Sequence, residues 1–253
     1  QMPVDQIEDR FGVNQEYAHL LIPAAIIYKQ ILEMTGAEML WIPGIRMCDG
    51  IAADYAEKQK YLKFTHNFDD DILSASRNMA KRYRCNTSHG QKIENYALQI
   101  FDAMKKFHGL GTRERLLLQI ASILHDCGKF ISLRDSSACA YNIIMATEII
   151  GLSHAEREIV AEVVRCNLDA FRYGEGSIRA GKLTAMLRLA NAMDRSHHGR
   201  LDDGKLQVKG NKLIISTSYA GNLALETMAV EDKADFFEEM FGIRPEIRQK
   251  RRV

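Results

Sequence analysis

Leu124-His125-Asp126-Cys127-Gly128-Lys129 sets a histidine and an aspartate side by side just before a glycine. It closes a run, Arg113 to His125, in which Leu116, Leu117, Leu118, Ile120, Ala121, Ile123 and Leu124 leave almost no polar face. A helix that is apolar nearly all round belongs at the centre of a core. His125 and Asp126 therefore stand at the end of a buried helix, where unpaired polar groups are costly. They have company. His89 begins the stripe Ile93, Tyr96, Ala97, Ile100, Phe101, Met104 and Phe107 on a helix expected over Ser88 to Phe107. Asp194 ends a helix expected over Lys182 to Asp194, two turns after Leu187 and on the same face as Leu183, Met186, Leu187 and Ala190. A divalent metal shared by His89, His125, Asp126 and Asp194 gives these buried groups a reason to be there.

Working outward, the chain from about Asp69 to His197 has a helical period almost throughout. Ser88-His89-Gly90-Gln91 and Ser153-His154-Ala155-Glu156 both fit the capping-box pattern. Tyr141 to Ile150 is expected as a helix stopped by Gly151, and the second capping box opens a helix to about Asn167. After His198 the period changes. Lys205 to Val208 and Leu213 to Ser218 are strand-like and joined by the turn pair Gly210-Asn211. Glu226 to Phe241 is a helix, and Pro245 to Gln249 a third strand candidate. The first sixty residues predict helix, strand, helix: Gln15 to Thr35 ending at Gly36, Glu38 to Ile42, and Asp49 to Gln59. One strand cannot make a sheet alone, so this segment is expected to pack against something else or to be an appendage. The expected fold class is mainly α, a helical domain with a small α+β C-terminal subdomain, divided 1–60, 61–203 and 204–253.

Bulk properties narrow the classes. A net charge of +1 gives no global field for nucleic acid or membrane. The longest apolar run, Leu20 to Tyr28, holds Pro23 and is too short to span a bilayer. Five cysteines, at 48, 85, 127, 139 and 166, form no CxxC pair, which fits a reducing cytoplasm better than a disulfide framework. The chain starts at Gln1 without Met or a signal-like segment, which predicts a missing upstream part.

Imidazole and carboxylate donors suit Mn, Fe, Zn or Mg in different degrees. Four donors from three helices leave open positions for water and phosphate. Asp126 and Lys129 are the candidate catalytic residues, and Lys129 also suits a phosphate as a point charge. Lys182, Arg188 and Arg195 join it as candidate substrate-binding residues, and the basic and histidine residues around Asp194 favour an anionic ligand. Plainer readings stand beside these. A His-Asp pair occurs by chance at helix ends, Asp194 has Arg188 or Arg195 as possible ion-pair partners, and His89 at a helix N-terminus has an alternative on the surface. His197-His198 fits a solvated loop better than a ligand set, and Cys127 and Cys139 fit small buried residues.

The order His … His-Asp … Asp resembles the HD superfamily of metal-dependent phosphohydrolases. Four longer stretches, 121–131, 149–159, 187–197 and 233–242, resemble the C-terminal half of the exopolyphosphatase/guanosine pentaphosphate phosphatase (Ppx/GppA) family. The resemblance covers nearly the whole chain. It implies an HD-like helical domain, a small α+β domain, and a first sixty residues left from the second of two upstream actin-like domains. It implies a cytoplasmic homodimer acting on phosphoanhydrides, with polyphosphate or guanosine polyphosphate as ligand. Two departures accompany it. Where related members carry histidines that would be further ligands in a two-metal site, this chain has Cys139 and Asn167, which implies one metal at most. Pro43 to Gly50 also departs from the family's Gly-rich turn, ending Cys48-Asp49-Gly50. Weak hydrolysis at one metal and a non-catalytic polyphosphate- or nucleotide-binding and dimerisation module are the two functional expectations.

Overall fold

A computed structural model describes residues 3–171 and 177–249. The chain divides into two compact units, residues 1–65 and 66–253. The first unit holds three helices, α1 (Val4–Phe11), α2 (Gln15–Thr35) and α3 (Met47–Lys58). Asn14 caps α2, accepting from the Tyr17 N–H at 3.0 Å, and Gly36 ends it in the left-handed conformation. Residues 38–42 do not form the expected strand. The described residues of this unit offer no second strand to take up its backbone hydrogen bonds. Among the unit's described apolar residues only Ile7 and Ala18 are buried, while Leu20, Ile26, Ile27, Trp41 and Ile45 are exposed.

The second unit is built round α7 (Thr112–Leu124), whose residues 116–118, 120, 121, 123 and 124 are all buried. Around it pack α4 (Phe68–Arg82), α5 (Thr87–Ala103), α9 (His154–Cys166) and α10 (Ile178–Met193). A short α6 (Lys105–His108) follows α5, and α8 (Ser136–Ala146) lies against α9. Two boundaries differ from expectation. Asn86, not Ser88, caps α5, because its carboxamide accepts from the His89 N–H at 3.2 Å; His89 is thus pinned in the first turn. The helix expected over 141–150 runs from Ser136 to Ala146 instead. Thr147 is extended and Gly151 has φ 93°, so residues 147–151 turn the chain toward α9.

Strands β1 (Lys205–Lys209) and β2 (Lys212–Thr217) form the antiparallel hairpin around Gly210-Asn211. β3 (Arg244–Gln249) pairs parallel with β2 after the crossover helix α11 (Ala224–Phe241). α11 lies on α10, and Leu213, Ile215, Val230 and Phe237 belong to the same buried cluster as the α7 side chains. The small sheet therefore shares the helical core.

Two local contacts fix α7, one at each end. After α7 the chain makes a 3-10 turn, Cys127–Phe130, that presses on α8. A Cβ at Gly128 would lie 1.8 Å from the Ser136 carbonyl oxygen and 2.6 Å from the Ala140 nitrogen. Both obstacles are backbone, so Gly128→Ala should cost about 3 kcal/mol or more in urea unfolding. A variant within about 0.5 kcal/mol of wild type would show that the turn can retreat from α8.

The second contact joins α7 to α9. Arg113 donates to Glu156 at 2.6 and 3.1 Å and to the Gly151 carbonyl at 2.7 Å, while Ser153 and Glu156 complete a capping box. The Arg113 hydrogen bonds and the Ser153 donors hold the Glu156 carboxyl down at about 2, against 4.5 ordinarily. Its contribution is therefore complete above pH 4.5 and is lost as pH falls toward 2. Glu156→Gln should lower the melting temperature at pH 7 by several degrees and flatten the loss between pH 4.5 and pH 2. An unchanged acid limb would mean the pair contributes nothing to folding.

Candidate metal centre

His89, His125 and Asp126 converge from the ends of α5 and α7, and Asp194, at the end of α10, reaches them through its hydrogen bond to His89. His125 ends α7 and is buried; its Nδ1–H donates to the Ser122 carbonyl at 2.7 Å. That bond leaves the Nε2 lone pair pointing away from the backbone, and Nε2 has no hydrogen-bond partner among the described residues. His89, in the first turn of α5, is 3% exposed. Its Nδ1–H donates to Asp194 Oδ2 at 2.8 Å. Asp194, just past α10, also accepts the Gly199 N–H at Oδ1, 2.8 Å away. The plainer partners for Asp194, Arg188 and Arg195, are not the ones it takes.

Asp126 accepts Lys129 Nζ at 2.6 Å and lies 3.5 Å from His125 Nε2 through the same oxygen. The His89 and His125 rings stand 5.2 Å apart at 63°. One donor atom from each of His89, His125 and Asp126 falls within 4.8 Å of the others. The electrostatics suit a cation. Burial lowers the His125 pKa, so its imidazole is neutral and its lone pair available. Burial alone would raise the Asp126 carboxyl, but His125 and Lys129 outweigh it and hold it below the usual range. Asp194 behaves alike, with the His89 and Gly199 hydrogen bonds outweighing burial. Burial pushes the neighbouring Cys85 and Cys127 thiols up to about 11 and about 12, so neither supplies a thiolate at neutral pH.

The remaining candidate residues divide. Lys129 stands at the cluster, where a cleft of about 210 Å³ lined by Tyr83, Arg84, Cys85, Asn86, Asp126, Lys129 and Phe130 opens. Lys182 does not reach it. It lies twelve residues before Asp194, roughly 18 Å along α10, and its ammonium donates to the His108 carbonyl at 2.7 Å. Arg188 ties α10 to the end of α9 through the Cys166 and Asp169 carbonyls and lies over the Phe236 ring. Arg188 and Arg195 share a separate cleft of about 490 Å³ with Asn167, Asp232 and Lys233. Cys139 is half-buried on α8.

Two further residues stand at this centre: His197, expected from the sequence on a solvated loop, and Arg84, which no motif singled out. His197 lies on the loop after Asp194, its ring 3.9 Å from that of His89 and tilted by 37°. Arg84 lines the cleft with φ 48°, and His197 has φ 58°; both are left-handed, which is uncommon for such residues. The only signal in the sequence was the short step from Asp194 to His197.

Comparison with known proteins bears on the same residues. The model of the family described as Ppx/GppA phosphatase, domain III, matches residues 73–232, which include the whole cluster. A guanosine-5'-triphosphate,3'-diphosphate pyrophosphatase from Photobacterium profundum is 23% identical over 239 residues. The match takes in 91% of this chain but 46% of that protein, so the chain spans about half the length of its relative. Among the described residues no helix is long and apolar enough to cross a membrane. With the family model covering well over half of its length, the chain belongs to the Ppx/GppA phosphatase family.

Proposed function

We propose that this chain is the C-terminal part of a Ppx/GppA phosphatase whose helical domain is HD-like and holds one divalent metal, Mn, Fe, Zn or Mg, at His89, His125, Asp126 and Asp194. The observation that carries the reading is the buried, unpartnered Nε2 of His125 facing the donors of His89 and Asp126. A buried lone pair without a donor is costly, and a cation removes the cost. Asp194 retains acceptor capacity beyond its two hydrogen bonds, since an ionised carboxylate has about four lone-pair sites.

When bound, the metal supplies a water of lowered pKa and neutralises phosphate oxygens. The chain's own residues do the rest. Asp126 would hold the metal while accepting from Lys129, whose ammonium at the cleft would face the negative charge of a phosphate. The ligand class is a guanosine polyphosphate, in keeping with the relative's activity, or polyphosphate. Residues 1–60 are the end of an upstream actin-like domain, 61–203 the HD-like domain and 204–253 the α+β subdomain. The five free cysteines favour a reducing cytoplasm.

A second reading keeps the fold and drops the chemistry: a nucleotide- or polyphosphate-binding and dimerisation module serving an upstream catalytic half. Cys139 and Asn167, where the family resemblance implies histidines, favour it. So does the placement of Arg188, Arg195 and Lys233 in a cleft away from the cluster. The two readings part on turnover. Metal-loaded chain should release phosphate from guanosine pentaphosphate, and the His125→Ala/Asp126→Ala variant should lose at least about a hundredfold of that rate. Phosphate release equal in both proteins would sink the catalytic reading. Binding without turnover, weakened by Arg195→Ala, would establish the module.

A further inference from the structure

His197 is the residue at the centre with no role so far. It belongs to a second group of possible donors: one atom each from His89, Asp194 and His197 also lies within 4.8 Å of the others. The two groups share His89 alone, and the Asp194 that bonds His89 belongs to the second. His197 is exposed, so its ring stands on the solvent side of two nearly fully buried residues. Its backbone is held left-handed, with its N–H donating to the Asp194 carbonyl at 2.9 Å. A β-carbon-bearing residue kept at positive φ marks a position whose strain the surroundings maintain, and such residues cluster at ligand sites. The neighbouring His198 differs: its ring turns back to the Ser196 carbonyl and joins neither group.

We propose that His197 is a further ligand of the cation site, so that His89, His125 and His197 with Asp126 and Asp194 face one transition-metal dication. The inference rests on the metal reading above and deepens it. Three imidazoles favour Mn²⁺, Fe²⁺, Co²⁺ or Zn²⁺ over Mg²⁺, which prefers oxygen donors and keeps its waters. His197 also supplies a third imidazole where the positions at Cys139 and Asn167 do not.

The test uses the whole chain and Co²⁺ alone as the probe. Affinity is read from the visible absorption, and X-ray absorption of the Zn²⁺-loaded protein counts imidazoles. His197→Asn is the informative variant, because asparagine tolerates positive φ but offers no imidazole. It should weaken Co²⁺ about tenfold or more and reduce the imidazole count from about three to two. His198→Asn should change neither. His197→Gly, which relieves the backbone, should lose the same affinity; should it bind as wild type does, the effect of Asn is one of backbone and the proposal falls. The proposal is also overturned if His197→Asn binds Co²⁺ within about twofold of wild type with an unchanged count. A wild-type chain that binds neither Co²⁺ nor Zn²⁺ removes the metal reading itself, and this inference with it.

Discussion

The hydrogen bond from His125 Nδ1 to the Ser122 carbonyl is the constraint on which the centre depends. It fixes the tautomer of a buried imidazole and aims the other nitrogen away from the backbone, into a space that His89 and Asp126 also border. No hydrogen-bond donor among the described residues meets that nitrogen, and its near neighbour is the Asp126 carboxylate at 3.5 Å. The same logic operates at His89, whose Nδ1–H donates to Asp194 and so fixes the orientation of the ring. Two imidazoles, each oriented by a carbonyl or carboxylate behind it, form the arrangement by which proteins present histidine to metals.

The scaffold explains why these side chains hold still. α7 is buried on nearly every side by α4, α5, α9 and α10, so its C-terminal end cannot shift without moving the core. Asn86 fixes the start of α5 through the His89 N–H itself, and the 3-10 turn after Asp126 is locked on α8 at Gly128. Lys129 emerges from that turn and meets Asp126, so one cation already balances the carboxylate at the open side. A phosphate arriving there would meet a positive charge that the fold has placed in advance.

Much of this was legible in the sequence because it follows from periodicity. The stripes leading to His89, His125 and Asp194 had to face one core, and the apolar α7 had to be its centre. The hairpin followed from Gly210-Asn211 and from the change of period after His198. What was not legible depends on tertiary partners. Ser88 and Asn86 are both good caps, and only the path of the chain chooses between them. Glu38 to Ile42 has strand composition but no neighbour to pair with. Lys182 and Arg188 are cations that the sequence offers to an anion; in the fold they satisfy carbonyls at the ends of other elements. His197 fitted a solvated loop because its approach to His89 depends on a left-handed residue, which no periodic pattern encodes.

If the bare nitrogen of His125 receives a metal, a crystal of the chain grown with Mn²⁺ or Zn²⁺, with diffraction recorded on both sides of the metal's absorption edge, should show it. An anomalous peak is expected among His89, His125 and Asp126, about 2.0–2.2 Å from His125 Nε2. A map with no peak there, and His125 Nε2 bonded instead to an ordered water or a protein donor, would contradict it.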